Sequence, residues 1–293
     1  MANTVSQAFS GFKSALEITG LQNSTVSARQ QAVRNAVAGD IEVLDSFLTG
    51  SYARNTMIAP LKEADIDVFV VLANKYYYQY NNGNGGQAGL LDMLRRVLLK
   101  SYPMTPDISR NGQAVTIRFS DFLVDVVPGF HRNGGGYLIP NSISQSWIST
   151  DPKVHVQLAS QSNQAHDGDL VPQIKMIKAW NRNISHHFRS FHLEALALQI
   201  FEGVTISNYW SGSRFFFDKG RALVSKKNPD PAGYSEDVGF YINTSEKVNQ
   251  AVRRFEVAYD RAVRAEVADR AGRPEEAIQV WRQVFGDHFP AYG

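Results

Sequence analysis

The chain has 293 residues, of which 43% are apolar and 20% charged, and its formal net charge is +2. That supplies core for one large domain or two lobes, and leaves no global basic field to hold a long nucleic acid. Cysteine is absent, which excludes disulfides, thiolate catalysis and cysteine-ligated zinc. The N-terminus, Met1-Ala2-Asn3-Thr4, has no basic segment followed by an apolar core, and no apolar run approaches the roughly 18 residues of a membrane span. A cytosolic protein without a membrane partner is expected.

Taken in chain order, residues 3–18 and 24–47 read as helices. Phe9, Phe12, Leu16 and Ile18 recur near helical spacing in the first, and Val33, Val37, Ile41 and Leu44 in the second. Asn23, Ser24 and Thr25 offer N-caps for the second. The turn Gly50-Ser51 follows, and then Asp65-Ile66-Asp67 opens the apolar run Val68-Phe69-Val70-Val71-Leu72, which has the length and β-branched content of a buried strand. The loop Asn81-Asn82-Gly83-Asn84-Gly85-Gly86 lacks the Lys-Ser/Thr ending of a phosphate loop and reads as surface. A helix over 88–100 places Leu90, Leu91, Leu94, Val97 and Leu98 on its buried side. Two apolar runs, Ala114–Phe119 and Phe122–Pro128, flank Ser120-Asp121 as a β-hairpin, and Tyr137-Leu138-Ile139-Pro140 reads as a short edge strand. Beyond about residue 150 helical patterns dominate, including 172–183 and a long amphipathic helix over 245–269 rich in Arg and Glu. No internal repeat is present.

Chemistry concentrates at the first strand. Side chains alternate along a strand, so Asp65 and Asp67 project from one face, two positions apart. Two adjacent carboxylates raise each other's pKa, and a divalent cation removes that cost. Carboxylate oxygens completed by substrate phosphates are the usual Mg²⁺ environment, and the Gly50-Ser51 turn offers backbone N–H groups and a hydroxyl for a phosphate. Asp125 sits inside an otherwise apolar strand, where an unpaired charge costs several kcal/mol by order of magnitude. If the hairpin packs beside the first strand, Asp125 completes a triad with Asp65 and Asp67. Asp121 reads as a turn residue. The constellation points to nucleotidyl transfer with Mg²⁺, or Mn²⁺ in its place.

In helix 172–183, Lys175, Lys178 and Arg182 stand at i, i+3 and i+7 on one face, with Ile174, Met176 and Ile177 turned to the core. Taken alone, that is a solvated basic face. Ser190 reads as the N-cap of the next helix, whose N-terminus favours anions in any case. Glu194 reads as a buried structural carboxylate or the partner of a nearby base.

Gly50-Ser51, Asp65-x-Asp67 and Asp125 resemble the signature of polymerase-β-type nucleotidyltransferases. Pro172-Gln173-Ile174-Lys175-Met176-Ile177-Lys178-Ala179-Trp180-Asn181 and Ser190-Phe191-His192-Leu193-Glu194-Ala195-Leu196 narrow the resemblance to the cGAS/DncV-like nucleotidyltransferases of bacterial anti-phage systems, from about residue 20 to the C-terminus. One departure is Asn55, where many members carry glycine. Asn also accepts a positive φ.

The resemblance implies an α+β, bilobal polymerase-β-like fold. A catalytic lobe over 1–150 would hold a mixed, mostly antiparallel sheet, and a helical nucleotide-binding lobe over 151–293 would cover a nucleotide lying between them. It implies that Lys178, or next Lys175, contacts the triphosphate, that Ser190 touches the phosphates, and that Phe191 stacks on the donor base. The substrates would be ribonucleoside triphosphates, the product a cyclic di- or trinucleotide second messenger, and the partners regulatory or effector proteins. The alternative is a same-fold enzyme modifying an antibiotic, a protein or a tRNA end.

Overall fold

Strand alternation and helix burial build two compact units in the computed structural model, which describes residues 2–81, 83, 85–105 and 107–293. Asn82 and Asn84 of the glycine-rich loop lie outside the described residues. In chain order the elements are α1 (Val5–Ala15), α2 (Gly20–Asp40), β1 (Val43–Thr49), α3 (Gly50–Ala53), β2 (Asp65–Leu72), α4 (Asn74–Tyr80), α5 (Gly86–Ser101), β3 (Ile108–Asn111), β4 (Ala114–Arg118), β5 (Leu123–His131), β6 (Tyr137–Asn141) and β7 (Ser146–Thr150). Helices complete the chain: α6 (Pro152–Ala165), α7 (Leu170–Asn183), α8 (Ser190–Phe201), α9 (Tyr209–Leu223), α10 (Ser245–Arg270) and α11 (Pro274–Phe285). One unit is Ile18–Val156, and the other joins Met1–Glu17 to Gln157–Gly293. The division falls inside α6, and α1 packs among α7, α9 and α11 rather than beside the sheet. The pattern Phe9–Phe12 shows that α1 has a face to bury, but not which helices cover it.

In the first unit the strands run β1-β2-β5-β4-β3, with β6 beside β5 and β7 beyond β6. The pair β2–β5 is parallel and every other pair is antiparallel, so the sheet is mixed and mostly antiparallel as expected. Ile66, Val68, Val70 and Leu72 of β2 and Val124 and Val126 of β5 share a core with Val33 and Val37 of α2 and Leu90 and Leu94 of α5. Alternation then sends Asp65, Asp67, Phe69 and Val71 to the other face, where Phe69 and Val71 meet Tyr137 and Ile139.

Several expectations need correction. The helix expected over 24–47 ends at Asp40, and Val43–Thr49 is strand β1, paired antiparallel with β2. The spacing of Ile41 and Leu44 continued the helical pattern, but Phe47, Leu48 and Thr49 gain a ladder of backbone hydrogen bonds by pairing with Phe69, Val68 and Asp67. The cap of α2 is Thr19, which forms a reciprocal capping box with Gln22, not Asn23, Ser24 or Thr25. Tyr137–Asn141 is not an edge strand, because β7, unread in the sequence, pairs with it over five residues. The hairpin of β4 and β5 is present, with Arg118 opposite Leu123.

In the second unit, α7 is buried on every side: Gln173, Lys175, Lys178 and Asn181 are enclosed together with Ile174, Met176 and Ile177. The solvated basic face that the spacing alone suggests is therefore absent, because neighbouring segments cover α7 and Glu17 and Glu194 supply polar partners for its lysines. Trp180 lies against Phe255 and Phe217, with ring centroids 4.9 and 5.0 Å apart. Phe9 meets Trp281 edge-on at 5.0 Å, which docks α1 on α11. None of the described helices is long and apolar enough to cross a membrane.

Candidate active site

Parallel pairing of β2 with β5 sets Asp67 opposite Asp125, with Ile66 opposite Val124 and Val68 opposite Val126. Neighbouring strands lie about 4.8 Å apart, so the two carboxylates leave the sheet side by side. Asp65, two positions along β2, leaves from the same face. The apolar residues between them point into the core, which fixes the acidic face by exclusion. A slip of one residue in register would invert every one of these side chains.

Burial and mutual repulsion act on this face. Desolvation pushes the Asp65 carboxyl above the ordinary carboxylate range, the charge of Asp125 raises it further, and Arg118 opposes both. Desolvation also raises Asp125, opposed by a hydrogen bond from Thr116. Thr116 is the cross-strand neighbour of Asp125 on β4, and its hydroxyl donates to Asp125 Oδ1 at 2.5 Å. Sequence reasoning passed over this threonine. The available signal was its place between Val115 and Ile117, a polar residue on the face opposite the core.

Thr49 pairs with Asp67 at the end of β1, and the chain then turns at Gly50 with φ of 66°. Gly50 and Ser51 begin the short α3, and the Ser51 carbonyl accepts from the backbone N–H groups of Thr56 and Met57 at 2.9 and 3.1 Å. That closes the turn on itself beside Asp67. Asn55 takes the left-handed conformation expected of it, with φ of 59°. Asp121 forms an ion pair with Arg29 at 2.9 Å, the structural role of a turn residue.

The remaining candidates lie in the second unit. Lys178 is buried and donates to Glu194 Oε1 at 3.2 Å, and Lys175 is buried and donates to Glu17 Oε2 at 2.6 Å. Ser190 is exposed and is the first residue of α8, not its cap. Arg189 holds the cap position, and its backbone N–H donates to the Tyr241 hydroxyl at 3.0 Å. Phe191, the next residue, is half-buried.

Among the described residues no three His, Cys, Asp or Glu side chains are gathered into a ready-made metal cage. The donor chemistry nevertheless fits a hard cation. Three carboxylates share one face, two of them in direct register, and their repulsion is what a divalent ion relieves. Mg²⁺ keeps several waters and takes its remaining ligands from one or two carboxylates and substrate phosphates, so a complete protein cage is not required.

A mixed sheet carrying Asp65, Asp67 and Asp125 on one face, behind a Gly-Ser turn, defines a polymerase-β-type nucleotidyltransferase. Residues 3–163 match the Second Messenger Oligonucleotide or Dinucleotide Synthetase domain (SMODS). A probable cyclic nucleotide synthase of Bacillus cereus strain VD146 is 30% identical over 277 aligned residues, covering 83% of this chain and 81% of that one. A cyclic AMP-AMP-AMP synthase of Acinetobacter sp. is 26% identical over 312 aligned residues, covering 98% of this chain and 86% of that one. The structure of E. coli MS115-1 CdnC with ATP matches in fold with a TM-score of 0.77 at 19% identity, covering 98% of this chain and 99% of that one. The chain belongs to the SMODS family, within the cGAS/DncV-like nucleotidyltransferases, and is a nucleotidyltransferase that makes a cyclic nucleotide second messenger.

Proposed function

We propose that this enzyme joins ribonucleoside triphosphates into a cyclic di- or trinucleotide in the cytosol, for anti-phage signalling through protein effectors, and that Asp65, Asp67 and Asp125 are its catalytic carboxylates. The observation that carries the reading is the register of Asp67 with Asp125 on adjacent parallel strands, with Asp65 on the same face. Asp65 and Asp67 would hold Mg²⁺ or Mn²⁺, with Asp125 as the third ligand. Such ions supply charge neutralisation at the attacking and leaving oxygens of an in-line displacement.

The chain's own groups do the rest. Asp125, held by Thr116 through Oδ1, orients the acceptor's ribose hydroxyl and takes its proton. The ribose oxygen bonds to the α-phosphorus as the bond to pyrophosphate breaks. Gly50 and Ser51 hold the donor phosphates. In the second unit, Lys178, with Lys175 as second choice, and Ser190 support the triphosphate, and Phe191 stacks on a base. A second transfer of the same kind closes the ring.

The test is direct. The protein is incubated with all four ribonucleotides and Mg²⁺ or Mn²⁺, and the products are treated with phosphatase and weighed by mass spectrometry. A ring has no terminal phosphate and survives, whereas a chain loses its end group. Only phosphatase-sensitive chains, or label on a non-nucleotide acceptor, would replace this reading with the same-fold transferase.

A further inference from the structure

Helix α10 carries a basic stripe that the catalytic reading does not use. Ala251, Phe255, Ala258, Ala262 and Ala265 form its buried face. Alongside it, within the second unit, is a cavity of about 280 Å³ lined by Arg253, Arg254, Val257 and Arg261 of α10 together with Trp180 of α7 and Val284 of α11. No acidic side chain lines it.

On a surface helix an acid one turn from an arginine stabilises both. That rule holds at the end of α10, where Arg270 pairs with Glu266 at 3.0 Å. No such acid stands one turn from Arg254 or Arg261 along the cavity. Arg254 has Gln250, Ala251, Val257 and Ala258 at three and four residues' distance, and Arg261 has Val257, Ala258, Arg264 and Ala265. Arg261 instead donates to the Gln283 carbonyl at 2.9 Å, and Arg253 reaches Glu256 only at 3.6 Å. Arg254 makes neither an ion pair nor a hydrogen bond among the described residues. Its charge is felt locally, since the His187 imidazole is held below its usual range by burial first and by Arg254 second. Arg253 and Arg254 are exposed and Arg261 is half-buried, and the three stand at the rim of a hollow whose remaining lining is mostly apolar.

We propose that this cavity is a binding site for a small organic anion: a compact aromatic or branched apolar body against Trp180, Val257 and Val284, with a phosphate, sulfonate or carboxylate on Arg254. Guanidinium groups bind such oxyanions through two parallel hydrogen bonds and also stack on aromatic rings. The volume is at the low end for ligand sites, which fits a body of one or two rings. Inorganic phosphate alone leaves the apolar lining wet and is the poorer ligand. The site stands independently of the carboxylate assignment, because none of its residues belongs to the catalytic set.

The probe is 1-naphthalenesulfonate, a two-ring anion, titrated into this chain at low salt and followed by isothermal titration calorimetry. Saturable binding at one site that weakens with salt is expected. Arg254→Gln, at an exposed position, weakens it about tenfold, the scale of one charged hydrogen bond. Val257→Trp fills the hollow and abolishes binding, with circular dichroism confirming the fold. Should that variant not fold, Arg254→Gln decides alone. Phenyl phosphate displaces the probe at concentrations where inorganic phosphate does not. Equal binding by wild type and folded Arg254→Gln, insensitivity to salt, or equal displacement by the two phosphates would each overturn the proposal.

Discussion

A side chain on Gly50 would run into the carboxylate of Asp67: a Cβ placed there lies 1.7 Å from Asp67 Oδ2 and 2.5 Å from its Cγ. The turn and the carboxylate therefore occupy their positions only because residue 50 has no side chain. Its φ of 66° adds a second demand, since other L-residues lose about 1–2 kcal/mol in that conformation. Gly50→Ala is expected to remain folded with a lowered Tm and to lose product formation, because Asp67 must rotate away. Pyrophosphate release and a melting curve on the same preparation check this. Wild-type turnover in that variant would show that the Asp67 rotamer seen here is not the working one.

Asp65 and Asp125 both hold protons more tightly in the folded protein than a free carboxyl, mainly through burial. A raised folded pKa means that the native state binds more protons. The resulting stability is fully present below the unperturbed value of 3.8 and is lost as pH rises through the folded values. Metal-free protein at neutral pH thus carries an electrostatic cost. Asp125→Asn is expected to raise the Tm of metal-free protein and to abolish synthesis. Mg²⁺ is expected to raise the Tm of wild type and to leave Asp65→Asn/Asp67→Asn unchanged. Normal turnover in that double variant would remove β2 from the site.

Thr116 acts on Asp125 across the strand pair, and removing its hydroxyl while keeping its shape isolates that contact. Hydrogen bonds to charged groups contribute about 1.5–3 kcal/mol, so Thr116→Val is expected to lower kcat about ten- to a hundredfold. KM for the nucleotide should change little, and Thr116→Ser should restore the rate. A loss confined to KM would mean that the threonine supports substrate binding rather than the carboxylate.

Lys178 and Glu194 are both buried and bonded to each other, so Lys178→Ala leaves a carboxylate in the interior. Removing one partner of a buried pair costs about 3–5 kcal/mol, enough to disguise a binding defect as unfolding. Replacing both, as Lys178→Met with Glu194→Leu, is expected to recover most of the Tm. If Lys178 supports the triphosphate, the double variant keeps a KM raised about tenfold. Recovery of both Tm and KM would make the pair purely structural.

Phe191→Ala is expected to lose about 1–3 kcal/mol of base stacking. An intermediate held less well turns less often, so the ratio of open chain to ring should rise on phosphatase analysis. An unchanged ratio would take Phe191 out of the nucleotide site.

Local chemistry determined much of this protein. Asp65 and Asp67 must share a face because strand side chains alternate, and an aspartate inside Leu123–Val127 must either be paired or serve a purpose. Those facts depend only on near neighbours in the chain. Strand β1 was not legible, because Val43–Thr49 continues the spacing of α2, and only the ladder offered by β2 makes it a strand. Nor was the environment of α7. Lys175 and Lys178 read as a wet basic face, and distant Glu17 and Glu194 make them buried pairs. The parallel register that sets Asp67 beside Asp125, the threonine that holds Asp125, and the absence of room at Gly50 are likewise long-range facts. Periodicity reports what a segment can bury, whereas what covers it and what pairs with it depend on which distant segments the chain folds against.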